Sequence, residues 1–247
     1  MGPRSRYPVT VTATPARATE TTWIEVTPGH RLRARTRTGG GRTVAHLLHR
    51  ADAMGALGMV AVEDAEPGST GVRWSPPGLE LVTVVLHGAY SHADSGGGRA
   101  VIGSEDVAVL ATGNGVHREE LVQSDGLRAV LIWLFTPARA ARSAFAHRTI
   151  PRHARVGGLV PVACSRERAS LFVMQLASDV TVATGVLSVG TSATAHAQRG
   201  RGYVMSTLGA ITVDGVLAEP GDRVILRGTT PVRVHALEST EVVFVDA

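Results

Sequence analysis

A chain of 247 residues, with 44% hydrophobic and 19% charged positions, is long enough for two cores and too apolar for extended disorder. Its formal charge is only +4, aromatic residues make up 4%, and the basic residues are scattered, so a nucleic-acid surface is not expected. All 25 basic residues are arginine, which removes Schiff-base, pyridoxal-phosphate and P-loop lysine chemistry at once.

Residues 1–22 are rich in Thr, Pro, Ala and Arg without periodicity and read as a mobile tail. They lack the apolar core of a signal peptide, and no run in the chain approaches the roughly 18 apolar residues of a membrane span, so the expectation is a soluble cytoplasmic protein with no membrane partner. The single cysteine, Cys164, allows no intrachain disulfide and reads as a small buried apolar residue.

From Trp23 onward, short β-type runs alternate with Gly and Pro turns: TTWIEV, HRLRART, GGGRTVAHLL, GMVAVED, ELVTVVL, AVIG, VAVLAT and AVLIWLF. Several short strands at this spacing predict an all-β barrel or sandwich. Leu127 to Phe135 is apolar at every phase of the alternation, which predicts a strand buried between two modules. Pro137 to His147 has short-helix character and reads as the connector. A second β series then runs from VPVAC to EVVFVDA, with a tight hairpin at Asp214-Gly215 and a turn at Glu219-Pro220-Gly221-Asp222. The organisation read from this is an N-terminal barrel over 23–136, a connector over 137–150 and a second barrel over 151–247.

No Gly-x-Ser-x-Gly elbow or Cys-His arrangement is present, and Gly113-Asn114-Gly115 lacks the third glycine of a dinucleotide fingerprint. The informative stretch is Gly78 to Glu120: Gly78-Leu79-Glu80, Leu86-His87-Gly88, His92-Ala93-Asp94-Ser95, Glu105-Asp106-Val107 and Gly113-Asn114-Gly115-Val116. In this block, in Met54-Gly55 and in Val62-Glu63-Asp64, the chain resembles the pirin-like bicupins of the quercetinase-type subgroup. The resemblance implies tandem cupin barrels, the second of them degenerate.

It also implies a metal site in the first barrel, and there the sequence departs from the pattern. The positions of the family's histidine ligands fall on Trp74, Pro76 and Arg118, and only the last carboxylate survives, as Glu120. Indole nitrogen only donates, proline has no side-chain lone pair and guanidinium stays protonated, so none of the three can ligate. His87 and His92 read as surface or hydrogen-bonded core residues, and the second barrel, with His196, Arg201 and Tyr203, reads as structural. The expectation is a protein without metal or other cofactor.

On the same resemblance, Arg118 is expected to hold a carboxylate, enolate or polarised carbonyl. Glu120 would serve as general acid or base, and Trp74, Pro76, Glu80 and His46 would line the substrate site. A metal-independent cyclase or isomerase, pericyclic chemistry included, acting on a polyketide-like molecule in bacterial specialised metabolism fits this set. The alternatives are a non-catalytic binding or regulatory module, in which Arg118 and Glu120 are an ion pair filling the metal's space, and a metal-dependent quercetinase-like dioxygenase. The sequence leaves the oligomeric state open.

Overall fold

The computed structural model describes residues 22–32, 36–38, 41–48, 54–136, 142–165 and 173–247. Its first strands are β1 (Trp23–Thr27), β2 (Thr36–Thr38), β3 (Arg42–Leu48), β4 (Leu57–Ala65) and β5 (Thr70–Ser75). They continue with β6 (Leu79–Asp94), β7 (Arg99–Gly103), β8 (Asp106–Ala111), β9 (Val116–Phe135) and β10 (Ala144–Thr149). The second half contributes β11 (Val160–Ser165), β12 (Met174–Leu176), β13 (Thr181–Leu187), β14 (Ser192–Ala195) and β15 (Arg201–Ser206). The last five are β16 (Ile211–Val213), β17 (Val216–Ala218), β18 (Arg223–Arg227), β19 (Val232–Ala236) and β20 (Thr240–Asp246). Among the described residues the only helical turns are 3-10, at Gly29–Arg31 and Arg152–Arg155, and no helix is long and apolar enough to cross a membrane.

The first module is one nine-stranded sheet, ordered β10-β8-β6-β9-β4-β3-β2 with β5 on β9 and β7 on β6. Two long strands, β6 of 16 residues and β9 of 20, run through it and pair twice, with register shifts between Val85 and His87 and between Gly88 and Tyr90. Bulges of this kind bend a sheet, and here they let one antiparallel pair serve both walls of the barrel. The second module sandwiches a seven-stranded sheet, β1-β18-β15-β20-β13-β11-β12, against a four-stranded one, β14-β19-β16-β17.

The all-β, two-module expectation therefore holds, with two local corrections. Trp23–Thr27, read as opening the first barrel, pairs antiparallel with β18 in the second module. Ala144–Thr149, read as the end of a helical connector, is a strand paired with β8 across Ala144↔Ala111 to Thr149↔Asp106; residues 137–141 lie outside the described residues, as does the tail over 1–21. Alanine content suggested helix, but the open edge of β8 offered a full ladder, and pairing overrides a weak propensity. The Asp214-Gly215 hairpin forms as read: φ is +45° and +84° at the two turn residues and Val213 faces Val216, the combination a two-residue primed turn requires.

The modules meet face to face. Val130, Ile132 and Leu134 of β9 join Val162, Met205, Val243 and Val245 in one buried cluster. The opposite phase of β9, Leu131 and Trp133, faces the barrel interior. Along Leu127 to Phe135 one face of β9 packs on the other module and the other lines the interior of its own barrel, which is why this run reads as apolar on both faces.

Candidate functional site

Alternation along four strands sends a defined set of side chains into the first barrel. These are Arg42, Val44 and His46 of β3, Met59, Ala61 and Glu63 of β4, Gly71 and Arg73 of β5, and Arg118, Glu120, Leu131 and Trp133 of β9, and most of them line a cavity of about 610 Å³. A volume of this size is in the ordinary range for a small-molecule pocket.

Five charged groups meet at its floor. Arg42 Nη1 donates to Glu120 Oε2 at 2.8 Å and to Glu63 Oε1 at 3.0 Å. Arg118 Nη1 donates to Glu120 Oε1 at 3.0 Å, and Arg73 Nη2 donates to Glu63 Oε1 at 2.5 Å. Arg42, Glu63, Arg118 and Glu120 are all buried. Arg73 sits directly across the β5–β9 ladder from Arg118, a pairing of like charges that only the two glutamates make tolerable. Gly71, opposite Glu120, creates the space: a methyl there would lie 3.3 Å from Arg42 Cζ. The guanidiniums of Arg42, Arg73 and Arg118 face the cavity and the carboxylates lie behind them.

Burial alone would raise the pKa of Glu120, but Arg118, then Arg73 and Arg42, hold it below the usual carboxylate range. Arg73 loses some basicity to burial and regains more from Glu63 and Glu120, ending above its ordinary value. Glu120 is therefore a fixed anion with both oxygens occupied, a poor proton shuttle at neutral pH. Arg118 also lies 5.3 Å over the centre of the Trp133 ring, within cation–π range.

Of the expected set, Arg118, His46 and Trp74 line this cavity, Glu120 lies behind Arg118, and Pro76 and Glu80 lie elsewhere. His46 lines the wall, its Nδ1 3.3 Å from Met59 Sδ. Trp74 lines the cavity at its rim, 53% exposed; its ring lies tilted against His117 at 4.6 Å and over Gly115, where a methyl would come within 2.3 Å. Pro76 is exposed in the turn after β5, away from the cavity lining. Glu80 faces the other module, accepting hydrogen bonds from the Ala177 and Ser178 amides at 2.8 and 2.9 Å and from the Ser178 hydroxyl at 2.6 Å. A glutamate on the β6 face turned away from the cavity cannot also reach the substrate.

His92 is a hydrogen-bonded core residue as read, bound to Asp94 at 2.9 Å and stacked on Phe145 at 4.2 Å, and His87 is exposed. Sequence reasoning missed Arg42, Glu63, Arg73 and Trp133. The available signal was phase: Arg42 shares its alternation with Val44 and His46, and Glu63 shares its own with Met59 and Ala61.

A mononuclear metal needs three or four converging nitrogen or carboxylate donors. Among the described residues no three His, Cys, Asp or Glu side chains are so arranged, and Glu120 spends both oxygens on guanidiniums. The residues present do not fit a metal.

Comparison with known proteins agrees with the fold. The family model described as Pirin matches residues 33–134. A Pseudomonas aeruginosa protein provisionally named quercetin 2,3-dioxygenase is 32% identical over 170 residues, covering 68% of this chain and 73% of that protein. A pirin-like protein of Caulobacter vibrioides is 28% identical over 173 residues, covering 68% and 73%. Among solved structures, the bacterial pirin YhhW from Escherichia coli in complex with nickel(II) superposes with a TM-score of 0.78 at 19% identity, over 91% of this chain and 98% of its own. A quercetin 2,3-dioxygenase from Acinetobacter baumannii superposes with a TM-score of 0.71 at 19% identity, over 92% and 86%.

Proposed function

This chain belongs to the pirin family, and we propose that its N-terminal cavity works without a metal, holding a small polyketide-like molecule for cyclisation or isomerisation by charge and shape. The observation that carries the reading is Glu120: the one carboxylate left from the family's ligand positions is held between Arg42 and Arg118, and the guanidiniums occupy the ground a metal would need.

In this reading Arg118 and Arg73 stabilise negative charge that develops on a substrate oxygen as an enolate forms or an electron pair shifts around a ring, the work of an oxyanion hole. Glu120 and Glu63 fix those guanidiniums in place. His46 is the imidazole in the lining, and it takes the acid–base role first assigned to Glu120. Val44, Ala61, Leu131 and Trp133 supply the dry wall that strengthens each of these interactions.

The binding-module alternative has support from the same network, because a carboxylate with both oxygens engaged also suits a purely structural role. The dioxygenase reading is supported by the names of two relatives and opposed by the donor set. Solvent deuterium exchange distinguishes the three. With 2-tetralone and simple β-diketones as probes, chelator-treated protein should accelerate exchange at the carbon next to the carbonyl, and His46→Gln should abolish the acceleration. Absence of acceleration across the series favours the binding module, and acceleration only after nickel or iron is added favours the metal enzyme.

A further inference from the structure

One outer face of the first module is unusually apolar. The strands β7, β6, β9 and β5 pair in that order, and among the described residues the outer edges of β7 and β5 are unpaired. One phase of these strands, with Ile102, His92 and Glu120, is buried in the barrel. The opposite phase forms two cross-strand rows on the outside: Val101, Ser91, Leu121 and Thr70 in one, and Arg99, Ala93, Glu119 and Val72 in the other. Val72, Val101 and Leu121 are 74, 61 and 43% exposed, and Trp74 carries the same face on to the cavity rim. Four large apolar side chains gathered on one exposed sheet face mark a surface that meets another protein.

The charges on the face say which protein. Arg99 and Glu119 are both exposed, lie in the same row two strands apart, and form no ion pair among the described residues. One cation and one anion give the row no net charge to attract a partner of single sign, yet the same row reversed offers an anion to the cation and a cation to the anion. A twofold axis running along the strands makes that reversal. It sets β7 of one copy over β5 of the other, keeps the apolar row against the apolar row, and brings Arg99 within reach of Glu119 of the partner subunit, twice per dimer.

We propose that this face is the self-association surface of the protein, two copies stacking it sheet on sheet, about 10 Å apart, as the layers of a sandwich do. The test is sedimentation velocity of the full-length chain across the micromolar range, with far-UV circular dichroism to confirm the fold of each variant. The parent chain should sediment as a dimer. Arg99→Glu and Glu119→Arg each set like charges against one another across the twofold and should weaken association about tenfold or more, whereas Arg99→Glu/Glu119→Arg should restore it. Val101→Asp should weaken it as well, with the monomer still folded because the position is exposed. A monomer throughout the range, a dimer that either single reversal leaves unchanged, or a double reversal that fails to restore association would each overturn the proposal.

Discussion

Glu120 accepts from Arg42 on one oxygen and from Arg118 on the other, so its removal leaves two buried guanidiniums short of a counter-charge. Glu120→Gln is therefore expected to cost about 3–5 kcal/mol of folding stability, read by urea denaturation, and Arg118→Gln/Glu120→Gln should recover a large part of that loss. The pH dependence follows from the same pairing. Because the folded pKa of Glu120 lies below its unfolded value, the pair's contribution is complete above the ordinary carboxylate pKa of 4.5. Stability should fall as pH drops below that value toward the folded pKa, and the Glu120→Gln protein should lack this component of the acid limb. Tyr203 makes a separate case. Its hydroxyl is buried in the inter-module core without a partner, and burial pushes its pKa up. Tyr203→Phe should leave the melting temperature unchanged or raise it, since the unpaired hydroxyl costs about 1–3 kcal/mol to bury.

At the scale of the strand, β9 explains why some of the molecule was legible in the sequence and some was not. Its apolar run gave away a strand dry on both sides, but which phase faced the other module depends on pairing register, and that is set by β4 and β6, not by β9 itself. Ile132 proves to lie in the inter-module cluster, while Trp133 is on the cavity wall beneath Arg118. Ile132→Asp should then abolish soluble expression or cost more than about 4 kcal/mol. Trp133→Asp should fold, because its carboxylate can meet Arg118, and should lose ligand binding; denaturation and emission titration of the two proteins side by side check both. The same dependence on register hid Arg42, Glu63 and Arg73. An arginine in a sequence reads as surface, and only the fold brings Arg42 to a glutamate 78 positions away. Glu80 was misread for the complementary reason: its motif position suggested the cavity, whereas its strand phase aims it at Ser178 in the second module.

Taken whole, the molecule is two β modules joined by an apolar face and by one buried carboxylate clasp. Glu80→Ala removes three hydrogen bonds to a charged acceptor and should cost about 3 kcal/mol or more, with the two modules melting less cooperatively by calorimetry. The order of the strands and the tandem architecture followed from turn chemistry and from the resemblance in Gly78 to Glu120. Of the charged cluster only Arg118 and Glu120 followed from that resemblance, because Arg42, Glu63 and Arg73 lie outside the motif's ligand positions and join the site only through strand pairing. The central claim is that this cluster took the metal's place, and elemental analysis of protein purified from medium supplemented with iron, nickel, copper, manganese and zinc tests it most directly. Metal well below one equivalent is the expected result; one tightly held equivalent that disappears in Glu120→Ala would contradict it.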